Sequence, residues 1–142
     1  MKVAVIDGLG GGMGCQIIEN LKKEMKSPIE IIALGINSEA TFNMIRAGAH
    51  RGATGENAIR VTTRETDIIV GPLGIIITGA MMGEVTTQIT EIVMNSPAKK
   101  FLLCVSQPHV ELIEIENQPV AVLIKKLVAR VREFIQDRQK LS

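Results

Sequence analysis

The 142-residue sequence predicts an α/β fold, a mostly parallel sheet of about five strands with helices on both faces. Three observations carry that prediction. Short apolar runs rich in Val and Ile alternate with amphipathic stretches at helical spacing. The early runs close on Gly or Gly-Pro, the residues that end strands in turns. The first run leads into five glycines within seven residues, from Gly8 to Gly14, just before a helical stripe begins. The length suits one domain over residues 1–142 and is too short for a cofactor domain plus a separate substrate domain.

Lys2 to Ile6 is a β-branched apolar run bounded by Asp7-Gly8, the pattern of a strand buried on both faces. After the glycines, Met13, Ile17, Ile18, Leu21 and Met25 fall on one helical face, with Lys22, Lys23 and Glu24 on the wet side. Ser27-Pro28 ends that helix. Ile29 to Leu34 is the second strand, closed by Gly35. Asn37 or Ser38 can cap the next helix by accepting a bond from a free backbone N–H. That helix runs to about Ala47, and Gly48 suits the position after its end.

Ala49 to Asn57 reads as a loop, and Val61 to Glu65 is ambiguous. Asp67 to Val70 is a third strand, ended by Gly71-Pro72-Leu73-Gly74. Ile75 to Ile77 reads equally as a strand or as the buried start of a helix. Met82, Val85, Ile89, Ile92 and Val93 form a helical stripe that Gly83 interrupts, with Thr86 as a fresh cap. Lys100 to Val105 is a fourth strand. Val110 to Ile115 alternates, as a fifth, edge strand would. Pro119 suits the first turn of a last helix, whose buried face is Leu123, Ile124, Leu127, Val128, Val131 and Ile135.

Composition narrows the function classes. Apolar residues are 46% and charged ones 22%, a globular balance. The net charge of +1 gives no general attraction to nucleic acid or membrane. Three Phe, no Tyr and no Trp leave few platforms for stacking bases. The last helix carries six Lys or Arg against two acids, which reads as a solvated basic face. Cys15 and Cys104 have no paired spacing and read as reduced buried thiols. No basic start followed by a long apolar stretch suggests a leader, and no run approaches membrane-spanning length. The expectation is a soluble cytoplasmic protein.

The glycine turn follows a strand and opens a helix. In that context the backbone can approach a phosphate, and the helix start offers free N–H groups and a positive dipole end. The spacing is not GxGxxG, because Met13 and Cys15 stand where a third glycine would be. It is GxxxGxG, at Gly8, Gly12 and Gly14. This first βα unit resembles the turn of the short-chain dehydrogenases, and the resemblance implies a nicotinamide dinucleotide, NAD(P), or another nucleotide. The catalytic Tyr-x-x-x-Lys pair of that family has no counterpart, since the chain lacks tyrosine. Asp7 would repel a pyrophosphate unless it bonds to backbone or sugar. The end of the second strand, ALGINSE, has no acid where a ribose hydroxyl would be held, since Glu39 lies inside the next helix, although Asn37 and Ser38 are suited to bond a ribose or tolerate a 2′-phosphate.

Four separated blocks, VIDGLGGGMG, IIALGINSEAT, AGAHRGATGENAI and DIIVGPLGIII, resemble in order an uncharacterised family of small bacterial proteins, catalogued as a domain of unknown function. The resemblance runs from Lys2 to the last helix. It implies a small Rossmann-like domain, a three-layer sandwich, in mostly anaerobic bacteria. It transfers no catalytic residue.

The candidate site therefore comprises Asp7, Gly8, Gly10, Gly11, Gly12, Met13 and Gly14, with Asn37 and Ser38. The loop adds Arg51 as a partner for phosphate or carboxylate, Glu56 and Asn57 to hold a ribose or act as acid and base, and Thr54 and Gly55 beside them. Turn chemistry explains the same loop residues equally well. Gly71 and Pro72 either line the crevice under a flat ring or form a structural turn. His50 and His109 lie 59 positions apart without a second ligand at helical spacing, so no metal site is expected. Asp7 ends a strand and Asp67 starts one, which puts them at opposite edges of a parallel sheet. Met81 and Met82 between Gly79 and Gly83 suit a subunit interface, and a homo-oligomer, with a dimer favoured, would help cover an exposed ligand. Three functions stay open: an enzyme using Glu56, Asp7, Arg51 or His50 on a bound nucleotide, a non-catalytic sensor of a small anion with a protein partner, and a structural oligomeric subunit.

Overall fold

A computed structural model describes residues 1–105 and 109–141. The elements are β1 (Lys2–Asp7), α1 (Gly12–Glu24), β2 (Glu30–Gly35), α2 (Ser38–Arg46), β3 (Arg51–Thr54), α3 (Glu56–Thr63), β4 (Ile68–Pro72), α4 (Thr87–Asn95), β5 (Lys99–Leu103) and α5 (Val120–Lys140). A 3-10 turn at Leu73–Ile76 follows β4. The five strands form one sheet in the order β3-β2-β1-β4-β5, and every pair is parallel. This is the expected three-layer Rossmann-like α/β arrangement.

Alternation along the strands splits the core into two layers. Val3, Val5, Ile31, Ala33, Ile68 and Val70 point to one face, against Ile17, Ile18 and Leu21 of α1, Met44 of α2 and Ile124, Leu127, Val128 and Val131 of α5. Ala4, Ile6, Ile32, Leu34 and Ile69 point to the other, against Ile59 of α3 and Ile89 and Val93 of α4. The strands read as unbroken apolar runs because both faces are covered.

The chain runs outward from β1 through β2 to β3, then crosses the sheet to β4 on the other side of β1. The carboxyl ends of β1 and β4 therefore flank a topological switch point, where open α/β sheets form ligand crevices.

Three expectations are corrected. Ala49 to Asn57 is not a loop: β3 occupies Arg51–Thr54 and α3 starts at Glu56. Arg-Gly-Ala-Thr has no apolar signature, and the strand exists through its backbone ladder with β2. Gly52 lets α2 close over it, since a Cβ there would stand 2.9 Å from Ile45 Cδ1. The ambiguous Val61 to Glu65 divides, with α3 continuing to Thr63. Val110 to Ile115 is not a strand of the sheet: the adjacent Leu112 and Ile113 break its alternation, and no described strand pairs with it. The fifth strand is β3 instead. The Met82 stripe is shorter than its period suggests. Met81 and Met82 hold positive φ (58° and 57°), Met82 is 95% exposed, and α4 begins only after Thr86. Thr86 Oγ1 accepts the N–H of Ile89 at 3.2 Å, the fresh cap expected there.

Candidate functional site

Asp7 is the last residue of β1 and is buried. Its carboxylate turns back on the glycine turn. Oδ1 accepts the N–H of Gly8 at 2.8 Å and Oδ2 accepts the N–H of Gly14 at 2.8 Å. Asp7 thus bonds to backbone, the arrangement under which its charge is compatible with an anion-binding turn. It also stands in for the missing side-chain cap of α1, whose capping residue Gly11 has none to offer. Burial pushes the Asp7 carboxyl above its ordinary value, against the lowering effect of the Gly14 and Gly8 N–H groups, and the Glu84 carboxylate raises it further.

The donors of the turn can be accounted for one by one. Gly8 and Gly14 bond to Asp7, Leu9 to Glu84 Oε1, Gly11 to the Gly8 carbonyl and Cys15 to the Gly11 carbonyl. The N–H groups of Gly10, Gly12 and Met13 bond to no acceptor among the described residues. These three amides stand at the positive end of a 13-residue helix. They open onto a cavity of about 220 Å³ lined by Asp7, Gly8 to Met13, Pro72, Gly74, Ala80, Met81 and Val105. It lies at the β1/β4 switch point.

The glycines divide by role. A Cβ at Gly10 or Gly12 would meet nothing within 4 Å, so these positions stay bare toward the cavity. Gly11 holds φ 73°, which the turn requires. A Cβ at Gly14 would run into Met44 and come within 3.1 Å of Asp7 Cβ, so Gly14 serves close packing of α1. Gly71 sits against the Ile6 carbonyl within the sheet and is a packing glycine, while Pro72 reaches the cavity.

The residues after β2 are near the turn and engaged with it. Asn37 is the cap of α2: its Oδ1 accepts the Ala40 N–H at 2.8 Å. Its Nδ2 donates to the Leu9 carbonyl at 2.8 Å and to Glu84 Oε2 at 2.7 Å. Ser38 is the first, exposed residue of the helix.

Glu84 was missed by sequence reasoning. It comes from the segment between β4 and α4, and its carboxylate bridges Leu9 and Asn37 between the ends of β1 and β2. An acid therefore does stand beside the end of β2, supplied by another element. Met81 closes the same corner, since a Cβ at Gly8 would lie 2.8 Å from Met81 Sδ. The signal that marks this segment is Gly79 and Gly83 flanking the two methionines, a spacing for turns rather than helix.

The remaining candidates stand apart. Arg51 is at the amino end of β3 and pairs with Glu30, at the start of β2, at 2.8 Å. That is the opposite end of the sheet from the glycine turn, so Arg51 does not serve the site, and it holds the exposed Glu30 carboxyl below its usual range. Thr54 lies at the carboxyl edge, bonding Thr41 Oγ1 at 2.8 Å, but β2 separates it from β1 by two strand spacings, about 10 Å. Gly55 precedes α3 with φ 99°, and Glu56 pairs with Arg60 at 3.2 Å. Asn57 Oδ1 accepts from Arg60 at 3.4 Å. Turn and capping chemistry accounts for this group. His50 holds the edge of β2, its Nδ1 accepting the Ile31 N–H at 2.9 Å. Asp67 accepts the N–H of Lys2 at 2.8 Å, at the far end of β1 from Asp7.

The family's profile, described as "Domain of unknown function (DUF3842)", matches residues 2–136. The chain belongs to that family. This agrees with the resemblance of the four sequence blocks. No curated protein matches the chain. Among solved structures it is similar to a dodecameric FMN-dependent UbiX-like decarboxylase from Escherichia coli O157:H7, at 13% identity and TM-score 0.45, over 96% of this chain and 94% of that one. Among the described residues, no helix of this family member is long and apolar enough to cross a membrane.

Proposed function

We propose that the chain binds a phosphate-bearing nucleotide or nucleotide-derived cofactor at the turn from Gly8 to Gly14. The carrying observation is the trio of unengaged N–H groups at Gly10, Gly12 and Met13, grouped at a helix start beside the switch-point cavity. The phosphate takes those amides. The base or other flat ring lies toward Pro72, Gly74 and Ala80. Asn37 and Glu84, bonded to each other and to the Leu9 backbone, brace the turn beside the cavity, while Arg51 and the Thr54–Asn57 group are left out of the site. The reading is of binding by a homo-oligomeric protein.

Isothermal titration against NAD(H), NADP(H), FMN, FAD, ATP and S-adenosylmethionine tests this reading. One or more should bind, and Gly12→Val should abolish that binding with the fold kept. Silence from every ligand at millimolar concentration overturns it.

A second reading is a non-catalytic sensor of a small anion. It is favoured by the cavity of about 220 Å³, below the several hundred Å³ usual for drug-sized ligands. Among the described residues Asp7 is the only carboxylate lining the cavity, and both its oxygens are already bonded to backbone. Binding of inorganic phosphate or pyrophosphate with no nucleotide preference selects this reading over the first.

A further inference from the structure

Residues 110–117 expose an apolar and acidic segment. Val110, Ile113 and Ile115 are 55%, 77% and 52% exposed, and Glu111, Glu114 and Glu116 stand among them. Residues 111–118 make no backbone hydrogen bond to any described element. The segment bends at Glu114, which holds φ 68°, a left-handed conformation that is unfavourable for a non-glycine residue. An exposed run of this kind marks a contact surface, and its Ile-Glu-Ile-Glu alternation is that of a strand.

The complementary feature is the open edge of β5. Lys99 donates its N–H to the Asp67 carbonyl at 3.0 Å, on the β4 side. Alternation along the ladder then turns the N–H and C=O groups of Lys100 and Leu102 outward. No described strand pairs with that edge. A groove of about 420 Å³ runs along it, between β5 and α5, lined by Phe101, Leu102, Lys99, Lys126 and Arg130 among others. Lys100 Nζ is engaged with the Ser96 and Ala98 carbonyls, which leaves Lys99, Lys126 and Arg130 as the cations on offer. Among the described residues Arg130 pairs only with the exposed Glu133, at 3.5 Å.

We propose that the acidic arm, residues 110–117, of one chain adds as a strand to the β5 edge of a second copy, which returns the contact in a two-fold dimer. Extended, the arm puts Ile113 and Ile115 on one face and Glu114 and Glu116 on the other. The acids meet Lys126 and Arg130, and the isoleucines cover Leu102. The exchange also releases Glu114 from its left-handed bend. Both halves of the contact are present on every chain, as an isologous dimer requires. In the chain by itself the arm lies elsewhere, walling a separate cavity with Cys104 and Val105.

Sedimentation velocity tests the proposal by charge reversal. Wild type should run as a dimer at tens of micromolar. An arm variant (Glu114→Lys, Glu116→Lys) and an edge variant (Lys126→Glu, Arg130→Glu) should each dissociate at least tenfold more readily. Mixed in equal amounts, they should recover a heterodimer, because one contact then joins two reversed charges, the other is as in wild type, and both attract. All four positions are exposed, and circular dichroism of each variant verifies its fold. Carbodiimide coupling of mixed isotope-labelled and unlabelled wild type should give arm-to-edge crosslinks containing both isotopes. A monomeric wild type, dimers indifferent to both reversals, or crosslinks only within one chain would each overturn the proposal. The last outcome would place the arm on its own β5 edge.

Discussion

Asp7 and the glycines after it meet two demands, one of packing and one of binding, and substitutions separate them. Gly12→Val adds a side chain where nothing stands within 4 Å, so it should leave stability nearly unchanged while blocking the amides. Gly14→Val drives a side chain into Met44 and Asp7 and should cost about 1–3 kcal/mol in chemical denaturation. Equal destabilisation by the two would refute this division. Asp7 makes a prediction in pH. Its folded-state pKa is raised from 3.8, mainly by burial. Its linked stability is therefore fully present below the ordinary value and is lost as pH rises through the raised one. The stability of wild type relative to Asp7→Asn should fall across that window and level off above it. Denaturation midpoints from acid to neutral pH measure this, and a difference that grows with pH contradicts it.

At the scale of the element, the segment between β4 and α4 decides how much of the crevice is open. Glu84 holds it to the Leu9 N–H and the Asn37 amide, against two left-handed methionines. Glu84→Ala removes a hydrogen bond to a charged group, worth about 1.5 kcal/mol at the low end, so Leu9 should exchange its amide hydrogen on the order of tenfold faster. Unchanged exchange at Leu9 would mean that the carboxylate does not hold the turn. Thr86→Ala removes the cap of α4 and should cost about 1 kcal/mol in thermal or urea unfolding. These two residues illustrate what was legible. Thr86 announces itself locally, three residues before the N–H it caps. Glu84 acts on Leu9, 75 positions away, and nothing in its neighbours marks that partner. β3 was hidden for a related reason: its strand character comes from pairing with β2, not from its own side chains. Residues 113–116 show the converse, a strand pattern with no partner strand among the described residues.

At the scale of the whole molecule, one parallel sheet with its switch point between β1 and β4 puts the turn, Pro72 and Met81 around one cavity. A ligand that binds only this folded arrangement raises stability by mass action, about 2.7 kcal/mol at a hundred times its dissociation constant. Thermal unfolding with each nucleotide should therefore show a concentration-dependent rise in midpoint for the true ligand, absent in Gly12→Val. A rise of equal size in that variant would place the ligand elsewhere.

The sequence by itself determined the α/β class, the β1–glycine–α1 unit, a helix cap at Asn37 or Ser38 and the opposite placement of Asp7 and Asp67. Each follows from local rules: apolar periodicity, glycine tolerance and strand direction. Tertiary structure alone decided which glycines face a cavity and that Arg51 pairs with Glu30 at the far end of the sheet. It alone brought Glu84 to the turn. The physical reason is that these outcomes depend on which strands become neighbours, and one crossover, from β3 to β4, sets the order for all five.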